Sequence, residues 1–208
     1  MKEIISRLEV LNGTKLKYDT QENGNHLICY LKDVFLNKFP DKIFLGDYLH
    51  CVFRPLNMEE INYLKSEVNK EFSEDYIDLL KISNGLNIFS NMIVLFGLGK
   101  VKNGSVYEYS RDQNLKSPFD IVDINLMNKD TEKLFIGKLD EDYIYQHKNN
   151  GNRVYIASQT GDFLGEWSNI STFLDEKIQL ISPNFDSNGV VKNPKIIGKY
   201  IFNKVGGI

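Results

Sequence analysis

The chain has 208 residues, 42% hydrophobic and 12% aromatic, which suits one folded domain and excludes wholesale disorder. A net charge of −3 argues against a dedicated duplex-binding protein, which carries a basic surplus, and no apolar run approaches the roughly 20 residues of a membrane span. The charge is uneven: 8 basic and 7 acidic side chains over residues 1–57, 10 and 16 over 58–145, and 7 and 5 over 146–208, so a near-neutral total hides an acidic middle.

Residues 2–11 alternate weakly and suit a short helix. Lys2, Glu3, Arg7 and Glu9 interrupt that segment, so it is no secretory signal, and a cytoplasmic location is expected. Residues 26–36 and 43–54 are rich in Leu, Ile, Tyr, Val and Phe and read as strands, with Pro40 and Pro55 as punctuation. Cys29 and Cys51 form no C-x-x-C pair and have no zinc spacing, so they are expected as two buried or half-buried thiols in a reducing cytosol. The N-x-S/T triplets at Asn12, Asn103 and Asn169 read as chance in an Asn-rich chain.

Leu56 opens the clearest signal. Asn57 is a good N-cap, Glu60 stands at the capping-box position, and Leu56 and Ile61 have staple spacing. Ile61, Leu64 and Val68 continue at helical period. A second helix starts at the cap Ser73, with Glu74 and Asp75 in the first turn, where the helix dipole favours them. Ile77 and Leu80 are expected to face the core, flanked by Tyr76 and Leu79, and Asn84-Gly85 to end the helix.

The period then changes. Met92–Phe96 reads as a buried strand, Ser105–Tyr109 as another and Leu134–Gly137 as a third. Asp142–Gln146 and Arg153–Ala157 alternate around Lys148–Asn152, which reads as a hairpin turn. Gly161-Asp162 marks a turn before a strand toward Trp167. A last helix is expected over about 170–180, capped by Ser168, with Ile170, Phe173, Leu174 and Ile178 on one face. The tail holds one further apolar stretch, Ile196–Phe202, and is expected to pack as a strand or hairpin. Hairpin-like spacing excludes a doubly wound parallel sheet. The expected class is α+β, a mostly antiparallel sheet flanked by helices.

Motifs that carry chemistry are absent. There is no G-x-S-x-G. His26 and Cys29 stand three residues apart, on opposite faces of a strand. Gly97-Leu98-Gly99 lacks the third glycine of a dinucleotide loop, since position 102 is Lys102. His26, His50 and His147 are scattered, and the acidic triplet Asp140, Glu141, Asp142 lacks the glycine and closing Glu of a calcium loop. Paired carboxylates among Asp120, Asp123 and Asp140 are beyond the reach of sequence spacing. Tyr107, Tyr109, Tyr143 and Tyr145 lack an interleaved basic stripe and read as core and cross-strand pairs.

Three stretches together resemble the SUKH superfamily. LNMEEINYLKSEVNKEFSEDYIDLLKISNG, residues 56–85, is similar to its opening helices. MIVLFGL, residues 92–98, is similar to the strand that follows. LFIGKLDEDYIYQHKNNGNRVYIASQTGDFLGEWSNISTFLDEKI, residues 134–178, is similar to its hairpin, Trp and final helix. Ser73 stands where the family commonly has Pro. The resemblance spans roughly residues 55–181. It implies a single SUKH-like domain; the extension 1–54 and the tail 182–208 lie beyond the matched part and are expected to pack on the same core. It also implies a bacterial immunity protein that neutralises a cognate toxin domain, often a nuclease or deaminase. The alternative it implies is a regulatory scaffold of the kind its fungal relatives supply. No catalytic residue, cofactor or metal is implied.

Charge suggests the contact residues: Glu74, Asp75, Asp78, Asp140, Glu141 and Asp142, with Tyr143 as an aromatic anchor. Ile77, Leu80, Val94, Phe96, Ile136, Trp167, Phe173 and Leu174 are assigned to the core. The partner is a protein, with no nucleic acid or membrane.

Overall fold

Helix starts are set by side chains that take up orphan N–H groups. The computed structural model describes residues 2–8, 16–22, 25–31, 48–98, 121, 124, 125, 130–186 and 192. Helix α1 spans Lys2–Leu8. Helix α2, Met58–Val68, has the full capping box: Asn57 Oδ1 accepts from the Glu60 N–H at 3.0 Å, and the Glu60 carboxylate accepts from the Asn57 N–H at 2.9 Å. Arg54 clamps the same carboxylate, with Nη1 at 3.0 Å from Oε2. Helix α3, Glu74–Leu80, is capped by Ser73 Oγ, which accepts from the Tyr76 N–H at 3.1 Å.

Helix α3 ends at Leu80, before Asn84-Gly85, and its fully buried positions are Tyr76, Leu79 and Leu80, with Ile77 only partly buried. Gly85, at φ +79°, instead turns the chain into a short strand, Leu86–Ile88, that periodicity did not announce; a Cβ there would stand 2.6 Å from the Leu95 carbonyl oxygen. Helix α4, Ile170–Ile181, is capped by Asn169, whose Oδ1 accepts from the Thr172 N–H at 2.7 Å. The strand Phe163–Trp167 ends just before it, which leaves Ser168 as the link and makes Asn169 the cap. The Asn169 triplet is thus part of a helix start.

The strands are β1 (Leu16–Glu22), β2 (Asn25–Leu31), β3 (Tyr48–Phe53), β4 (Leu86–Ile88), β5 (Ile93–Leu95), β6 (Lys133–Leu139), β7 (Asp142–His147), β8 (Val154–Ala157) and β9 (Phe163–Trp167). They form one sheet in sequential order, every neighbour antiparallel. The α+β class and the antiparallel sheet follow directly. Strands β1–β3, all within the first 54 residues, belong to this sheet. The strands expected at Ser105–Tyr109 and Ile196–Phe202 lie outside the described residues.

One face carries the main core. The register row Val52–Leu86–Leu95–Gly137–Ile144–Ile156 runs across six strands, and its apolar members pack with Ile61 and Leu64 of α2, Tyr76 and Leu80 of α3, and Phe173 and Leu174 of α4. Trp167 is buried at the β9–α4 junction. Its Nε1 donates to Glu176 Oε2 at 2.7 Å, and the Lys177 ammonium lies 4.5 Å from the ring centroid. The other face carries a smaller cluster of Phe135, Tyr145, Tyr155 and Ala157. Tyr145 and Tyr155 are directly opposed and stack at 5.4 Å.

Candidate functional site

The connections β4–β5, β6–β7 and β8–β9 meet at one rim of the sheet. Register places them there: Ile93 pairs with Leu139, Leu139 with Asp142, Tyr143 with Ala157, and Ala157 with Phe163. The Asp140 N–H donates to the Met92 carbonyl at 2.7 Å and ties two of the turns together. Four of the five non-glycine residues with positive φ among those described are on this rim: Phe89 at 53°, Ser90 at 56°, Asn91 at 73° and Asp140 at 54°. Left-handed backbone outside glycine is costly and concentrates at functional loops.

Asp140, Glu141 and Asp162 are exposed on the rim. Glu141 Oε2 accepts from Gln159 Nε2 at 3.4 Å, linking two turns. Asp162 Oδ2 accepts from Thr160 Oγ1 at 2.6 Å and Ser158 Oγ at 3.2 Å, which stiffens its own turn. Beside them stands Phe163, 62% exposed. It ends the row Lys138–Tyr143–Ala157–Phe163 on the face opposite the main core. Tyr143 is half-buried in that row, with Lys138 Nζ 5.1 Å from its ring centroid.

The expected contact residues divide. Asp140, Glu141 and Tyr143 come together at the rim. Asp142 is corrected: it is 8% exposed and sits on the core-side parity of β7. Burial pushes its carboxyl above the ordinary range, with Asp140 and Glu141 adding to the rise and the Gln159 N–H opposing it. Asp75 is corrected as well. Its Oδ2 accepts from the Ile170 N–H at the start of α4, so it serves as a helix cap from another helix. Burial raises its carboxyl, while the Ile170 N–H pulls it back. Glu74 and Asp78 are exposed, and Asp78 pairs with Lys81 at 3.1 Å.

The two acidic groups do not form one surface. Helix α3 begins at the β7–β8 turn, where the Asp75 N–H donates to Asn152 Oδ1 at 3.2 Å and Ser73 Oγ to Gln146 Oε1 at 2.8 Å. Asp140 and Glu141 precede the other end of β7, a strand length of about 20 Å away.

Phe163 is the residue the sequence reading missed. Alternation places Phe163, Gly165 and Trp167 on one face. The structure pairs Ile156 with Gly165 but Ala157 with Phe163, so Leu164 is an extra residue and Phe163 turns outward. The Gly161-Asp162 turn marked the place but not the flip.

A concavity of about 410 Å3 lies between the end of α2 and the start of β6, with Lys65, Lys70, Lys133 and Lys148 in its wall. Three of these lysines are already engaged. Lys65 pairs with Glu71 and Lys133 with Asp130, each at 3.2 Å. Lys70 Nζ donates to Asn125 Oδ1 and to the carbonyls of Asp130 and Lys133 at 3.2, 2.8 and 2.6 Å. Burial lowers the Lys70 ammonium pKa, with Asp130 opposing.

Among the described residues there is no group of three or more His, Cys, Asp or Glu placed to hold a metal ion. Asp120 and Asp123 lie outside those residues. No helix among them is long and apolar enough to cross a membrane. No protein-family model and no curated protein matches the chain.

Proposed function

We propose that the chain is an immunity-type protein that binds a cognate bacterial toxin domain of nuclease or deaminase type and neutralises it by stoichiometric occlusion in the cytoplasm, without chemistry of its own. The SUKH resemblance of residues 56–85, 92–98 and 134–178 supports the partner class. The observation that carries the contact surface is the exposed Phe163 set beside Asp140, Glu141 and Asp162. An aromatic anchor ringed by acidic groups fits a basic cleft: the carboxylates occupy positions that substrate phosphates would take, and the ring supplies apolar burial. Tyr143 extends the anchor along the same row.

The test is growth rescue. The C-terminal domain of the protein encoded immediately upstream is induced with and without this chain. Rescue is expected, and Phe163→Ala combined with Glu141→Lys is expected to abolish it while leaving the melting temperature unchanged within about 2 °C. Rescue that survives this double change removes the rim as the contact surface. A toxic domain that the wild-type chain fails to neutralise overturns the pairing. Absence of any toxic neighbour moves the regulatory-scaffold alternative ahead.

A further inference from the structure

The chain has two cysteines, and the ladder sets them face to face. Cys29 of β2 and Cys51 of β3 are direct partners, inside a regular stretch of register from Leu27–Phe53 to Tyr30–His50. The hydrogen bonds around β3 identify the kind of pair. The Phe53 N–H donates to Ser83 Oγ at 3.1 Å, its carbonyl accepts from Ser83 Oγ at 3.2 Å, and the Leu49 carbonyl accepts from the Ser90 N–H at 2.8 Å. Both residues therefore aim backbone groups toward the β4 side. Backbone direction alternates along a strand, so Cys51, midway between them, aims the same way. Cys29–Cys51 is then a non-hydrogen-bonded pair of the β2–β3 ladder. The Cα atoms of such pairs lie about 4.5 Å apart, inside the 4.4–6.8 Å range that disulfides span.

We infer that Cys29 and Cys51 are an oxidisable pair that closes into a cross-strand disulfide when the cell meets peroxide, stapling the β1–β2 hairpin to the rest of the sheet. Among the described strands β1 is the sheet edge, and β2 is held to the remainder through β3. The step balances. The thiolate of one cysteine attacks a peroxide oxygen, the O–O bond breaks, and a sulfenic acid forms as hydroxide leaves. The second cysteine attacks that sulfur and displaces a second hydroxide. Two thiols lose two electrons and two protons, and hydrogen peroxide becomes two waters. Cys51 is 1% exposed, so the oxidant must be small or must enter as the edge hairpin opens.

The experiment uses the full chain with hydrogen peroxide, followed by quenching, unfolding in iodoacetamide without reductant, and intact mass measurement. The reduced chain takes two alkyl groups. The oxidised chain is expected to take none, to weigh about 2 Da less than the unmodified reduced chain, to run as a monomer, and to yield a linked peptide pair containing Cys29 and Cys51. Its melting temperature is expected to rise by about 6–12 °C and to revert with dithiothreitol. Cys29→Ser and Cys51→Ser should each keep their wild-type reduced melting temperature within about 3 °C and lose the peroxide-induced rise. Two alkylated thiols after peroxide, sulfinic or sulfonic masses in place of the link, or intermolecular dimers alone would overturn the inference.

Discussion

Asp75 carries its carboxylate from α3 to the N-terminus of α4, where the acceptor it offers matters more than its charge. Its pKa is raised, chiefly by burial, above the ordinary 3.8. Between those two values the folded chain holds more protons than the unfolded chain, so this group adds stability as pH falls through its folded pKa. Asp75→Asn keeps an acceptor and removes the buried charge. It is expected to melt above the wild type at pH 7, with the gap shrinking toward pH 4; Asp75→Ala should lose about 1 kcal/mol at pH 4 and less at pH 7, since the wild type alone gains on acidification. An advantage of Asp75→Asn that grows on acidification would contradict the assigned cause. Asn87 makes a second case. It is fully buried in β4, and neither Oδ1 nor Nδ2 has a hydrogen-bond partner among the described residues. Asn87→Leu keeps the shape and removes both unsatisfied atoms, so urea unfolding should show a gain of about 1–2 kcal/mol. A loss would mean that a bound water or ligand satisfies the amide.

Strand β6 depends on a side chain from outside the sheet. Its register slips between Phe135 and Gly137, and the Asn125 amide fills the gap, donating to the Phe135 carbonyl at 2.8 Å and accepting from its N–H at 3.0 Å. Lys70 holds Asn125 in turn. Gly137 is where β5 presses closest: a Cβ there would overlap the Val94 carbonyl oxygen and meet Leu95 Cδ2 at 2.9 Å. Backbone cannot yield as a flexible side chain can. Gly137→Ala is therefore expected to cost about 2–3 kcal/mol in urea unfolding, and a cost below about 0.5 kcal/mol would show that β5 and β6 separate easily. The helix boundaries at Asn57 and Ser73 were legible because capping is local. The choice of Asn169 over Ser168 was not, because two adjacent residues both cap well and the length of β9 decides between them.

Across the molecule, the sheet separates the two acidic groups by the length of β7, so a partner centred on the rim meets Asp140 and Glu141 more closely than Asp78. Glu141→Lys should lower the association rate with a basic toxin domain about 3–10-fold at low ionic strength, with the difference fading as salt is added. Asp78→Lys, at the far end, should change it less than about two-fold. Equal effects from both changes in stopped-flow measurements would show that the surface does not follow the rim.

Local signals in the chain settle the α+β class, the capped starts of α2 and α3, and the hairpin of β7 and β8. Each follows from signals within a few residues: a cap, a period, or a turn that tolerates positive φ. Tertiary structure alone decided which side chains are available. One extra residue at Leu164 turns Phe163 outward, the parity of β7 takes Asp142 inward, and a contact across 95 residues makes Asp75 a cap. The opposition of Cys29 and Cys51 likewise comes from strand register. Bulges and registers are fixed by the packing of distant strands, and a single-residue shift reverses every face that alternation implies.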